Sequence, residues 1–298
     1  MKKVIVDIGS STVKVYKYEG QKLELVLSKS FHFKEHYTPE RGLHFNDEEG
    51  LIRLLERVNA NYFNYQIEAV ATGVFRKLSQ EQLQGLQSES RKRAKIEIKI
   101  ISHEDENRFL EKALVGRAKI EKPILLLNIG GSTTELILAQ NGQIIDRQNL
   151  ELGIGQINGQ FPEINSSLNT ALTARIKQSV LAQLPKMAGS VAIAIFSGGE
   201  ETFMERLGYP LVANHLFIDQ NHRKLIGYDE FCQYNELVLY LKNIEELEKF
   251  YPENPEWVNG SRACELIAEV VFGEYGIKYI IPSDANLVHG IITEQLEQ

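Results

Sequence analysis

Near the start of the chain, hydrophobic residues fall in short runs broken by glycine. "VIVDIG" leads into "STVKVYKY" and, after the turn-like "YEGQ", into "KLELVLSK". Aliphatic and β-branched runs of this length, divided by tight-turn residues, predict strands over 4–8, 12–18 and 22–29 paired as a meander. The period then lengthens. Leu51, Leu54, Leu55 and Val58 recur at helical spacing behind Asn46 and Asp47, either of which suits a helix cap. "IEAVATG" predicts a short strand ending at Gly73, and "SQEQLQGLQSESRKRAK" a helix opened by a capping box from Ser79 to Gln82. "KIEIKIIS" alternates as a strand and hands over at Ser102 to a helix, "HEDENRFLEKALVGRA".

Past "KIEKPI" the pattern starts afresh. "LLLNIGGSTTELILAQNGQIIDRQNLELG" again predicts three strands, with Asn141-Gly142 as the hairpin turn. Helices are expected near 167–184, 228–249 and 260–275, with a strand at "SVAIAIF", a helix from Glu200 to Leu207 closed by Gly208, and a capped terminal helix in "SDANLVHGIITEQLEQ". Two halves that open alike indicate an internal duplication and not a short-period repeat. The halves divide into domains at 1–121 and 122–298, with 284–298 a candidate to pack back on the first.

A length of 298 residues with 43% hydrophobic content suits two domains, which would flank a cleft. The formal charge of −7 gives no global attraction for nucleic acid or an anionic membrane, so an anionic ligand must be held locally. Cys232 and Cys264 are too few for a disulfide framework or a thiolate metal site; reduced thiols are the plainer reading, and one bond between them stays open. The hydrophobic run before Asp7 is too short for a signal peptide and no later segment reaches membrane-spanning length, so a soluble, cytoplasmic protein is expected.

The two glycine turns carry the candidate chemistry. In Gly9-Ser10-Ser11-Thr12 and Gly130-Gly131-Ser132-Thr133, glycine permits close approach of the backbone, while amides and hydroxyls converge as they do in phosphate-binding concavities. Either turn alone is equally a plain hairpin bend; their repetition favours two loops gripping one phosphorylated ligand. Asp7 and Asn128 end the preceding strands, where a carboxylate commonly holds Mg²⁺.

"VDIGSST" followed by "NIGGSTTEL" resembles the paired phosphate loops of the actin, sugar kinase and Hsp70 superfamily. The order "ATGVFRK", "IISHEDENRF", "LLLNIGGSTTELIL", "LELGIGQINGQF" and "SRACELIAEVVFGEYGIKYIIPSDANLVHGII" resembles the exopolyphosphatase and guanosine pentaphosphate phosphatase family, Ppx/GppA, over the whole chain. That resemblance implies an α/β fold of two ribonuclease H-like, actin-like ATPase domains. It also implies Mg²⁺ or Mn²⁺ as cofactor, polyphosphate or a guanine nucleotide as substrate with no nucleic-acid or membrane partner, and leaves room for a homodimer. Glu106 matches the family's general base and Arg76 its phosphate-binding arginine, while Glu135 matches an acid that organises the metal. Each has a plainer account: Ser102 and Asp105 form a capping box whose helix dipole suits acids, Arg76 is a surface charge, and Glu135 is an outward strand position.

Three positions depart from the family pattern. Asn128 stands where the family has Asp; an amide lacks the charge that draws a cation in, though its carbonyl oxygen can still serve as a weak metal ligand or accept a hydrogen bond. Val288 and His289 replace charged residues near the terminal helix, and His103 replaces a small residue. "SRKRAK" reads as a solvated helix end, and "SGGEE" resembles a nucleotide-contacting loop or a plain strand-to-helix turn. The expected function is release of terminal phosphate from polyphosphate or guanosine pentaphosphate, weakened at Asn128. The alternatives are a degenerate phosphate or nucleotide sensor and a superfamily ATPase or kinase.

Overall fold

A computed structural model describes residues 2–20, 22–114, 121–141, 143–166, 168–187, 191–217 and 222–297. The chain divides into two compact units, Met1–Glu106 and Asn107–Gln298. Among the described residues, no helix is long and apolar enough to cross a membrane. Cys232 and Cys264 are free thiols.

Unit 1 opens with the expected meander, β1 (Lys3–Ile8), β2 (Thr12–Glu19) and β3 (Lys22–Ser30). A short helix α1 (Phe33–His36) and the long α2 (Phe45–Asn61) then lead to β4 (Gln66–Ala71), α3 (Gln80–Glu89) and β5 (Ile98–Ile100), and the chain passes from unit 1 to unit 2 within α4 (His103–Leu114). The sheet order is β3-β2-β1-β4-β5, antiparallel through the meander and parallel from β1 to β4 to β5. α2 buries Leu51, Leu54, Leu55 and Val58 beneath this sheet, as their spacing predicts. Each such leucine contributes about 2 kcal/mol.

The capping box of α3 is present: Ser79 Oγ accepts from the Gln82 amide, and the Gln82 side chain accepts from the Ser79 amide. The cap of α2 differs from expectation. His44 takes that place, its ring accepting from the Asn46 amide, while Asp47 is bonded to His36. The predicted strand "KIEIKIIS" shrinks to three residues, since Lys95 turns left-handed at φ 58° to end a π-turn over Ser90–Ala94. Within "SRKRAK", Arg93 is no solvated charge; it bonds Glu49 and Glu56 of α2.

Unit 2 repeats the scheme with β6 (Ile124–Ile129), β7 (Thr134–Gln140) and β8 (Gln143–Leu150). Asn141 turns left-handed at φ 53°, and Gly142 lies outside the described residues. There follow α5 (Ile154–Gln160), α6 (Thr170–Leu181), β9 (Ile193–Ser197), α7 (Glu200–Leu207), β10 (Val212–Ala213) and β11 (Lys224–Gly227). The chain closes through α8 (Tyr228–Tyr234), α9 (Ile244–Glu248), α10 (Ser261–Tyr275), β12 (Tyr279–Ser283) and α11 (Leu287–Glu297). The order β10-β11-β12-β9-β6-β7-β8 contains the five-strand scheme of unit 1, extended by two short strands beyond β12. In both units the first strand of the meander pairs in parallel with the strand that follows the intervening helices. The duplication read from the sequence is therefore topological, and it places each glycine turn at the end of the first strand of its sheet.

Candidate functional site

In unit 1 the loop after β1 is closed by a bond from the Gly9 amide to the Thr12 carbonyl, 2.9 Å long. Its position is fixed from two sides. The carbonyls of Ser10 and Ser11 accept from Lys34 and Phe31, and Ser10 Oγ accepts from the Val74 amide at 2.9 Å. That last contact explains Gly73, which has φ +59° and where a Cβ would lie 2.1 Å from Ser10 Oγ. The stretch after Gly73 is a 3₁₀ turn that carries Arg76.

Arg76 and Glu106 meet. Arg76 Nη1 donates to Glu106 Oε2 at 2.6 Å and to the Ile101 carbonyl at 3.1 Å, and both side chains are nearly buried, at 13% and 11% exposure. Arg76 is thus no surface charge, and its Nη2 is buried with no partner among the described residues. Glu106 lies in the first turn of α4, whose start Ser102 caps by accepting from the Asp105 amide. Burial pushes the Asp7 carboxyl up to about 6, an effect that Lys14 opposes and Glu106 reinforces. The structure therefore brings Asp7, Arg76, Glu106 and the Gly9–Thr12 loop of unit 1 into one neighbourhood.

In unit 2 the corresponding loop is closed by the Gly130 amide on the Thr133 carbonyl at 2.8 Å. The segment before α5 buttresses it: Ile154 and Gly155 amides donate to the Gly130 and Gly131 carbonyls. Gly153 is packed so closely that a Cβ would meet the Ser132 backbone at 2.6 Å and the Gly130 carbonyl at 2.7 Å. Ser132 and Thr133 are buried.

Asn128 and Glu135 are register partners across the β6–β7 hairpin. The Asn128 amide donates to Glu135 Oε2 at 2.8 Å, while its oxygen accepts from Ser197 Oγ at 3.4 Å, so the network sets the amide's orientation. Glu135 is 1% exposed and is not an outward strand position.

The departures at Val288 and His289 have structural roles. His289 Nδ1 and the Asn286 amide meet at 3.3 Å at the start of α11, and Val288 is core. "SGGEE" turns its first acid inward. Glu200 is buried beside Cys264, and Glu265 and Glu269 of α10 share that interior. Glu269 Oε1 accepts from Tyr240 at 2.5 Å and Asn235 at 2.7 Å, and Lys177 forms an ion pair with its Oε2 at 2.5 Å. The Glu265 carboxyl is pushed well up by burial and then by Glu200 and Glu269. Sequence reading missed this buried acid cluster, whose only signal was charged residues inside an otherwise apolar helix.

A family model described as the Ppx/GppA phosphatase family matches residues 51–298. The chain belongs to that family. The matched residues include Arg76, Glu106, Asn128 and Glu135; Asp7 and the first glycine loop precede them. Among solved structures, a Ppx/GppA family member from Aquifex aeolicus is similar at 18% identity and a TM-score of 0.74, with 100% of this chain and 98% of that one covered. An exopolyphosphatase from Cytophaga hutchinsonii is similar at 13% identity and a TM-score of 0.80, with the same coverage. These likenesses show the Ppx/GppA two-domain, actin-like fold, and family membership makes the chain a phosphohydrolase by descent. No curated protein matches the chain.

Proposed function

We propose that this chain releases the terminal phosphate of inorganic polyphosphate or of guanosine pentaphosphate. The observation that carries the reading is the buried Arg76–Glu106 pair, in which the guanidinium keeps one buried nitrogen unpartnered beside a carboxylate aligned by the start of α4. Glu106 accepts a proton from water as the water oxygen bonds to the terminal phosphorus. The bridging P–O bond breaks, and orthophosphate leaves a chain shortened by one unit. Arg76 donates from Nη2 to a phosphate oxygen while Nη1 goes on orienting Glu106, so one side chain positions both the base and its target. Amides and hydroxyls of Ser10, Ser11 and Thr12, and of Gly131, Ser132 and Thr133, hold phosphate oxygens. Gly9 and Gly130 serve by closing the turns.

The donor set fits a hard divalent cation at the carboxylates and not at Asn128. Asp7, whose carboxyl burial pushes up to about 6, would gain from a neighbouring cation, and Asp7 in unit 1 and Glu135 in unit 2 are each proposed as carboxylate ligands for Mg²⁺ or Mn²⁺. Bound there, the ion would neutralise charge on the phosphoryl oxygens. Asn128 spends its N–H on Glu135 and so takes a share of the charge a cation would otherwise balance.

Orthophosphate release from polyphosphate and from guanosine pentaphosphate, measured with Mg²⁺ and with Mn²⁺, tests the proposal. Turnover of either substrate is expected; no release from either with both ions defeats it. The Asn128–Glu135 bond supports a second reading, binding without hydrolysis, which saturable polyphosphate binding with no release would select.

A further inference from the structure

A second cluster of chemistry-bearing side chains lies in unit 1 on the segment between β3 and α2. His36 ends α1, His44 caps α2, and Asp47 stands in the first turn of α2. One donor atom from each lies within 4.8 Å of the others. His36 Nδ1 is 2.7 Å from Asp47 Oδ2, and the His36 ring centroid is 5.4 Å from those of both His32 and His44. A hydrogen bond accounts for His36 with Asp47. It leaves unexplained why a second imidazole, that of His44, gathers on the same carboxylate.

We propose that His36, His44 and Asp47 form a binding site for a borderline transition-metal ion of the zinc class, with His32 or water as the fourth ligand. Imidazole nitrogen with one carboxylate oxygen is the donor set such ions take, whereas Mg²⁺ prefers an all-oxygen shell. Zinc bonds of about 2.0–2.1 Å in tetrahedral geometry place donors roughly 3.3 Å apart. The present spacings, from 2.7 Å upward and none above 4.8 Å, reach that by small rotations of rings that are exposed.

Both limbs of the site are fixed by bonds that do not involve the ligands. Thr38 and Gly42 exchange backbone hydrogen bonds of 3.2 and 2.7 Å, closing the loop that separates His36 from His44. Tyr37 Oη donates to the Lys77 carbonyl at 2.8 Å, and Gln82 Nε2 to the Pro39 carbonyl at 3.1 Å. Phe33 anchors α1 in the core, stacked on Phe31 and edge-on to Phe75. Asp47 is only 12% exposed and is held by α2, so the buried carboxylate is the fixed member and the exposed imidazoles are the entry path. The unusual histidine cap has a use in this light, since it leaves Asp47 available to the cluster. The order imposed by these bonds lowers the conformational entropy that an ion must overcome on binding.

Zinc titration of the full chain by calorimetry, in excess Mg²⁺ to occupy oxygen-only sites, is the test, with Co²⁺ in parallel for its ligand-field absorption. One equivalent is expected, with the intense visible bands of a four-coordinate Co²⁺ site, and zinc should raise the Tm. The His36→Ala/His44→Ala double variant should bind at least about 100-fold more weakly and lose the Tm response, and Asp47→Asn should weaken binding about tenfold. His44→Gln guards against loss of the α2 cap: its Tm without zinc should match the parent while zinc affinity falls. Orthophosphate release, which does not use these residues, should be unchanged throughout. No saturable zinc binding, or equal affinity in the double variant, would overturn the site.

Discussion

The two glycine loops share their backbone and differ in the charge placed beside them. In both, the residue one position before the strand's last isoleucine faces a partner across the hairpin: Asp7 faces Lys14 in unit 1, and Asn128 faces Glu135 in unit 2. Unit 1 therefore sets a carboxylate against a cation, while unit 2 sets a neutral amide against a carboxylate. The carboxylate of Asp7 is nonetheless pushed up to about 6, since burial outweighs Lys14 and Glu106 adds like charge. Glu135 instead receives an N–H from Asn128. The two loops keep the same backbone closure, Gly9 on Thr12 and Gly130 on Thr133, while the charge beside them differs. The buried Arg76–Glu106 pair belongs to unit 1 and is an addition to what the two loops share.

If that addition carries the chemistry, Arg76→Ala should have the largest effect, lowering orthophosphate release by about 1,000-fold through loss of both phosphate charge and Glu106 alignment. A loss below tenfold would break the asymmetry. Next come the loop supports. Gly153→Ala drives a methyl into the Ser132 and Gly130 backbone and should cost about 3 kcal/mol or more by denaturant unfolding. Gly73→Ala meets a serine hydroxyl and a left-handed φ, and should cost less, about 1–3 kcal/mol. Equal costs would mean the two cradles are not built on different obstructions.

Asn128→Asp should remove the bond to Glu135 and set two carboxylates together, destabilising unit 2 by about 2 kcal/mol without divalent ions. Mg²⁺ or Mn²⁺ should restore the loss and raise turnover several-fold; a Tm indifferent to both ions in this variant would remove Glu135 from the metal assignment. The smallest effect is expected away from the loops, at Glu265. Its native carboxyl is raised by burial, so the stability from its bound proton is full below the ordinary value of 4.5 and is lost as pH rises toward the native one. Glu265→Gln should therefore gain on the parent as pH rises above 4.5, and a pH-independent difference would show that the carboxyl is not raised.

Much of this fold was legible in the residues. Both meanders, the Ser79–Gln82 capping box and the helix from Glu200 to Leu207 closed by Gly208 were set by local pattern, and they stand as read. β10 and β11 were not foreseen, because strands of two and four residues are defined by their partners more than by their own periodicity. The hairpin register that opposes Asn128 to Glu135 follows from the turn, yet which of two polar residues donates depends on Ser197 from a strand far along the chain. Arg76 met Glu106 only through the resemblance, since no local pattern joins a 3₁₀ turn to a helix start beyond β5. The histidine cluster escaped sequence reading for a similar reason: the spacing of His36, His44 and Asp47 becomes a site only once Thr38 and Gly42 close the loop.

The role of Glu106 is tested most directly by orthophosphate release from polyphosphate at saturating substrate, comparing the parent with Glu106→Gln while polyphosphate affinity is measured in both. Steady release by the parent is expected, with affinity kept and release lowered by about 100- to 10,000-fold in the variant. Equal release by the two proteins, with the substrate bound by each, would contradict Glu106 as the base.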